Sequence, residues 1–196
     1  MTKARLEAFS DGVIAILITI MVLELRPPEQ AGWAALTDPH LAGGLLMYAL
    51  SFVILGIYWS NYHHMFHTVR RVNGAMLLAN LHLLFWLSLV PFGTEWVGRT
   101  RFASAPTAAY GVILFMAALA WTILRNAIIA LQGPASPLKA AVGRDVKGTV
   151  STLLYAAAIP LAFVWPFLSL ALYAITTGLW LVPDRRIESR VGPADS

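Results

Sequence analysis

Runs without a single charged residue constrain this chain more than any other feature. Residues 41–62 and 75–94 hold no Asp, Glu, Lys or Arg, and 107–124 is shorter but equally free of charge. A helix needs roughly 20 apolar residues to cross about 30 Å of hydrocarbon. Residues 7–25 form another such segment, apolar from Gly12 to Leu23 with Asp11 and Glu24 at its ends. The last apolar stretch, 149–183, is different. About 34 residues at ~1.5 Å rise would reach roughly 51 Å as one helix, too long for one crossing. It contains Pro160 and Pro166, and proline breaks or kinks helices. Two short helices with a turn near 163–166 fit better. The expected fold is an all-α membrane protein with six transmembrane helices at about 7–25, 41–66, 75–97, 105–131, 147–163 and 166–183.

The charges test that count. The chain has 14 Lys and Arg. With the N-terminus in the cytoplasm, Lys3, Arg5, Arg70, Arg71, Arg125, Lys139, Arg144, Lys147, Arg185, Arg186 and Arg190 fall inside. Only Arg26, Arg99 and Arg101 fall outside. Five spans would move the last three of the inner set outside and weaken the bias. The positive-inside rule therefore favours six spans with both termini cytoplasmic. It also accounts for the net charge of +4 without nucleic acid as a partner. Composition agrees: 58% of residues are apolar and 12% charged, against about 25% charged in soluble domains. The absence of cysteine excludes disulfide scaffolds, thiolate metal sites and cysteine nucleophiles. Asp11 near the start of the first run, with no clean cleavage site after it, argues against a cleavable signal peptide. Residues 1–183 read as a single six-helix domain and 184–196 as a polar cytoplasmic tail.

Polar residues at membrane depth are costly without partners. In the six-span topology Arg5, Ser10 and Asp11 lie near the cytoplasmic end of span one. Asn61, His63, His64 and His67 lie at the same level on span two, and Asn80 and His82 on span three. An interhelical network is expected, with Arg5, His64 and Asn80 as donors to a buried Asp11. The competing reading has these residues snorkelling or, for Ser10 and Asp11, capping a helix start. His63 and His67 have the i, i+4 spacing of a helical metal pair, but no Cys or added carboxylate is close in sequence, so no metal site is expected. In span one, Gly12, Ile16, Thr19 and Leu23 fall within about 60° of each other. That stripe suits either a packing seam or the lining of a pore, and periodicity does not choose.

The segment Arg5-Leu6-Glu7-Ala8-Phe9-Ser10-Asp11, running into the apolar Gly12-Val13-Ile14-Ala15-Ile16 sequence, resembles the signature of the transmembrane protein 175 family of endolysosomal potassium channels and their prokaryotic relatives. Tyr58-Trp59 with His63-His64, then Asn80 and Pro91-Phe92, resemble its second and third helices, so the likeness covers most of the chain. It implies a potassium-permeable cation channel, built as a homotetramer around helix 1, in the plasma or inner membrane of a prokaryotic cell. No cofactor is implied beyond the permeant monovalent cations. Carried over by offset from Phe-Ser-Asp, the pore-facing positions are Ile16 as hydrophobic constriction, Thr19 as adjacent hydroxyl ring and Leu23 as an outer apolar ring. Ala15 stands where some members have a small hydroxyl residue. Arg5, Ser10 and Asp11 would lock the base of the pore helix to His64 and Asn80, and protonation of the histidines would modulate opening.

Without a Thr-Val-Gly-Tyr-Gly loop, a carbonyl-ring filter of that kind is unsupported, and an isoleucine ring would gate by closure and dewetting. Glu24 would either concentrate cations at the outer mouth or anchor the interface through Arg26. The alternative function is a proton-coupled secondary transporter using Asp11 and the cytoplasmic-side histidines. Its usual inverted repeat has no counterpart here, because Pro160 and Pro166 have no partner break earlier. No nucleophile–base motif or metal set supports an enzyme.

Overall fold

Helices form where the apolar runs lie, because lipid offers the backbone no hydrogen-bond partner and each segment must satisfy its own. The computed structural model describes residues 2–25, 27–28, 32, 38–143 and 145–181. The polar tail expected at 184–196 and the positions of Arg26, Arg144, Arg185, Arg186 and Arg190 lie outside the described residues.

The first helix, α1 (Lys3–Ile20), continues as a 3₁₀ turn over Met21–Glu24. Thr2 is its N-cap, accepting from the Arg5 N–H at 3.4 Å. The helix thus starts before the Phe-Ser-Asp motif, and Ser10 and Asp11 lie two turns inside it. That corrects both the expected start at residue 7 and the reading of Ser10 or Asp11 as a cap. The physical reason is that Thr2 offers a cap oxygen, and Ala4, Leu6, Glu7 and Ala8 are all good helix formers.

Next come α2 (Pro39–His67), α3 (Gly74–Ser88), α4 (Val90–Arg99) and α5 (Ser104–Gln132). Asn73 caps α3 through the Met76 N–H at 2.9 Å. The expected span at 75–97 is one rod interrupted at Leu89, just before Pro91. Proline brings no N–H to the ladder, which lets the chain restart its helix there. Gly133, at φ 76°, closes α5 in a backbone region that glycine enters without cost. The short α6 (Pro137–Val142) leads to α7 (Val146–Leu161) and α8 (Pro166–Leu181). Asp145 caps α7 through the Gly148 N–H at 2.9 Å, and its carboxylate also pairs with Arg125 of α5. Four apolar rods, Lys3–Glu24, Leu41–His67, Gly74–Arg99 and Ser104–Gln132, are long enough to cross a membrane, and α7 and α8 are shorter apolar helices.

The α5 helix is the hub, packed on α3, α4, α7 and α8, while α1 lies against α2, α3 and α4. Small residues permit the tightest approaches. A Cβ on Gly98 of α4 would sit 3.0 Å from the Gly44 Cα of α2. A Cβ on Gly111 of α5 would run into the Tyr173 hydroxyl of α8, which donates to the Thr107 carbonyl at 3.1 Å. In the core, Ser51, Thr94 and Tyr110 join α2, α4 and α5. Thr94 spends its proton on the Val90 carbonyl at 2.7 Å. Ser51 must then donate to Thr94 at 2.6 Å, and Tyr110 to Ser51 at 2.8 Å. Each hydroxyl has one proton to give, so the direction of the chain is fixed.

Candidate functional site

Two faces of α1 divide its work. Leu6, Ser10, Ile14, Leu17 and Met21 are buried at spacings of four, four, three and four, which is one side of a helix. On the other side Gly12, Ala15, Ile16, Thr19 and Leu23 are exposed. Ile16 is 62% and Leu23 77% accessible, and a Cβ added to Gly12 would meet nothing within 4 Å. Among the described residues the stripe therefore lies largely open, which argues against the intrachain packing-seam reading. Phe9 is also exposed.

The hydroxyl of Thr19 reaches back to its own helix, 3.0 Å from the Ala15 carbonyl and 3.1 Å from that of Ile16. Its single proton is committed there. What it shows outward is an oxygen with free lone pairs, an acceptor suited to a cation.

At the N-terminal half of α1 the hub is Ser10, not Asp11. Ser10 Oγ donates to the Leu6 carbonyl at 2.9 Å, accepts from the Tyr62 hydroxyl at 2.8 Å and accepts from Asn80 Nδ2 at 3.0 Å. All three side chains are buried, so α1, α2 and α3 are joined through one oxygen. Among the described residues Asn80 Oδ1 has no hydrogen-bond partner. Asp11 is half-buried and accepts from Trp59 Nε1 at 3.1 Å. The expected set of donors to Asp11 is thus corrected. Asn80 serves Ser10, His64 is exposed, and Arg5 is exposed with its backbone N–H on Thr2. The reason is rotation: adjacent residues on a helix point about 100° apart, and the buried face takes Ser10 and turns Asp11 to its edge.

Sequence reasoning missed Tyr62 and the role of Trp59. Tyr62 lies four residues after Tyr58, at the depth of the histidines, and it is the one residue there joining a ring to a hydroxyl that can reach across helices. His63 and His67 are exposed, with their Nε2 atoms 2.9 Å apart. Two nitrogens on a tetrahedral zinc would stand about 3.3 Å apart, given bonds of ~2.05 Å, so this spacing is a hydrogen bond. His82 Nε2 accepts from Trp86 Nε1 at 2.9 Å and takes no part in the Ser10 cluster. At the other end of α1, Glu24 lines a cavity of about 440 Å³ together with Asp38, Glu95 and Arg99. Glu95 pairs with Arg99 one turn later. The anchor proposed for Glu24, Arg26, lies outside the described residues.

Comparison with known proteins bears on this arrangement. Residues 5–91 match the family model described as the endosomal/lysosomal potassium channel TMEM175, a segment that contains the Ser10 cluster, Asp11 with Trp59, and the whole exposed stripe. The chain is 52% identical over 188 residues to a potassium channel of Chryseobacterium sp. (strain P1-3), covering 96% of this chain and 97% of that one. It is 33% identical over 188 residues to a potassium channel of Streptomyces collinus, covering 88% of each. Its fold is similar to the crystal structure of a lysosomal potassium-selective channel TMEM175 homolog from Chamaesiphon minutus. There the TM-score is 0.75 and the identity 25%, over 94% of this chain and 97% of that one.

Proposed function

We propose, for a chain that belongs to the TMEM175 family of potassium channels and not to an enzyme family, that it conducts potassium passively through a pore lined by the exposed stripe of α1. One α1 helix cannot enclose a pore, so copies meet on an axis, and four copies is the number we propose. In this reading Ile16 is the constriction, Thr19 the hydroxyl ring beside it, Leu23 an outer apolar ring and Glu24 a charge at the outer mouth. The chain crosses the membrane six times with both termini in the cytoplasm, α7 and α8 forming the last two crossings.

The observation that supports it most directly is the outward face of α1. A stripe of Gly12, Ile16, Thr19 and Leu23 that is exposed among the described residues is available to face its copies across an axis. A ring of isoleucines excludes water when narrow and so closes the path without a charge. When it widens, the Thr19 oxygens, with their protons already spent on α1, offer lone pairs to a cation that has shed part of its water. Asp11, held by Trp59, helps to fix α1, and in this reading it does not carry protons.

The test is potassium flux from liposomes loaded with a potassium gradient. Wild type should pass potassium without saturating, and Ile16→Asn, which wets the constriction, should raise the basal flux. No flux above empty vesicles from wild type and from Ile16→Asn alike would refute the proposal. Loss of flux with Asp11→Asn, together with saturation in wild type, would favour the transporter reading.

A further inference from the structure

A second site lies in the wall formed by α2, α5, α7 and α8, with no residue of α1 in its lining. It is a partly open cavity of about 50 Å³. Tyr58 and Tyr155 both line it, and among the described residues neither phenol oxygen makes a hydrogen bond, nor is either sealed from the space it faces. Tyr155 is only 6% exposed as a residue, and its hydroxyl has no protein partner among the described residues. Buried polar groups are normally paired, and an unpaired one that faces a cavity points to a partner in that cavity. Ser151, also in the wall and 3% exposed, accepts from Trp180 Nε1 at 2.8 Å and retains a proton to donate. Among the described residues no Asp, Glu, Lys, Arg or His lines the space. The wall is therefore apolar with several hydroxyl donors, and it suits a ligand with an uncharged acceptor oxygen on a hydrocarbon body.

Depth narrows the choice. Ser151 lies five and Tyr155 nine residues into α7, about 8 and 14 Å along the helix at ~1.5 Å per residue. A helical side chain leans back toward the N-terminus of its helix, which brings the Tyr155 hydroxyl toward the level of Ser151. The headgroup layer takes up roughly 6 Å on each side of the hydrocarbon. If α7 crosses the membrane, as the proposed six-span topology has it, the cavity sits where acyl-ester carbonyls meet the hydrocarbon. On the same turns α7 exposes the apolar Val150 and Leu153, which would lie against lipid. We propose that the cavity holds the acyl-ester carbonyl of a membrane lipid, with the Tyr58 and Tyr155 hydroxyls donating to it. The occupant would bear on α1 through α2. Trp59, next to Tyr58, holds Asp11, and Tyr62, next to the cavity-lining Asn61, holds Ser10.

Native mass spectrometry of the full chain in detergent tests this without requiring conduction, so its failure is separate from failure of the channel reading. The probes are a phosphatidylethanolamine with two ester-linked chains and its diether analogue, which lacks the carbonyls. Wild type should hold the diester about tenfold more tightly, the order of magnitude that two neutral hydrogen bonds supply. Tyr58→Phe/Tyr155→Phe, which keeps both rings, should bind the two lipids alike. Equal binding by wild type, as expected if only water or a neighbouring copy fills the space, overturns the proposal, as does a preference that survives in the double variant. If that variant does not fold, wild type decides alone through a diester lipid with a photoreactive acyl chain. Crosslinks to peptides holding Tyr58 and Tyr155 support the proposal, and crosslinks confined to other helices overturn it.

Discussion

Replacing Ser10 by alanine should cost more than replacing the partner that bonds to it, and removing both should recover part of the loss. Ser10 Oγ accepts from the Tyr62 hydroxyl and from Asn80 Nδ2 and donates to the Leu6 carbonyl. Ser10→Ala strands two buried donors. Leu6 loses little, since its carbonyl also serves the helix ladder. A stranded buried donor costs about 1–3 kcal/mol, so the pair should cost about 2–6 kcal/mol. Hydrogen bonds between membrane helices average only ~0.6 kcal/mol in double-mutant cycles, which sets a floor near ~1.2 kcal/mol. Tyr62→Phe keeps the ring and removes one donor, leaving Ser10 with its other two bonds, at about 0.5–1.5 kcal/mol. In Ser10→Ala/Tyr62→Phe only the Asn80 donor remains stranded, so the double variant should be more stable than Ser10→Ala by about 1 kcal/mol or more. For a chain of this length that is roughly 2–4 °C in midpoint. The assay is thermal unfolding of the full chain in one detergent at one scan rate, read as a rank order because unfolding of such proteins is often irreversible. The reasoning is refuted if the double variant melts below wild type by the sum of the single losses. It is also refuted if all three melt with wild type, which would mean that water reaches the cluster and replaces its bonds.

Four further outcomes are expected. Thr19→Val keeps the shape of an exposed side chain and removes the outward oxygen, so the melting midpoint should hold while the potassium-over-sodium preference in liposome flux falls. Gly111→Ala forces a methyl against the Tyr173 hydroxyl and should cost about 1–3 kcal/mol. Adding Tyr173→Phe should return part of that in the same melting assay. Asp145→Ala removes the cap of α7 and the partner of the partly buried Arg125, for a loss of about 1–3 kcal/mol, whereas Asp145→Asn should restore the capping share alone. Trp59→Phe removes the donor to Asp11, and under the channel reading liposome flux should persist with a changed amplitude. Complete loss of flux in a protein that still melts like wild type would argue that Asp11 does more than hold α1.

The spans were legible because nothing interrupts them: 41–62 and 75–94 carry no charge, and lipid turns such runs into helices whatever their details. The polar belt was legible for a related reason, since successive crossings return Ser10, Asn61, the histidines and Asn80 to one level; Tyr62, the residue that joins the helices there, was not. Which residue meets which was not legible. A helix that is apolar nearly all round presents no contrast between the side facing protein and the side facing lipid, so its rotation is decided by packing that the sequence does not display. The choice between Ser10 and Asp11 is one residue, about 100° of rotation, and it reverses the roles of the two. Thr2 as the cap of α1 was hidden by the longer apolar run that begins at Gly12.

That same rotation ties the cluster to the proposed pore. On an ideal helix Gly12 lies about 200° from Ser10, and Ile16 follows Gly12 by about 40°, so the outward stripe is nearly opposite the Ser10 hub. A side chain at position 10 that no longer reaches Tyr62 and Asn80 releases the contact that sets this angle. A turn of even one residue's width would carry Ile16 off the axis and bring Ala15 or Leu17 toward it. Under the channel reading, then, Ser10→Ala should disturb conduction although Ser10 never touches an ion. Ser10→Thr, which restores the oxygen, should recover flux and melting midpoint together. Recovery of stability without flux would separate the lock from the pore and show that the angle of α1 is held elsewhere.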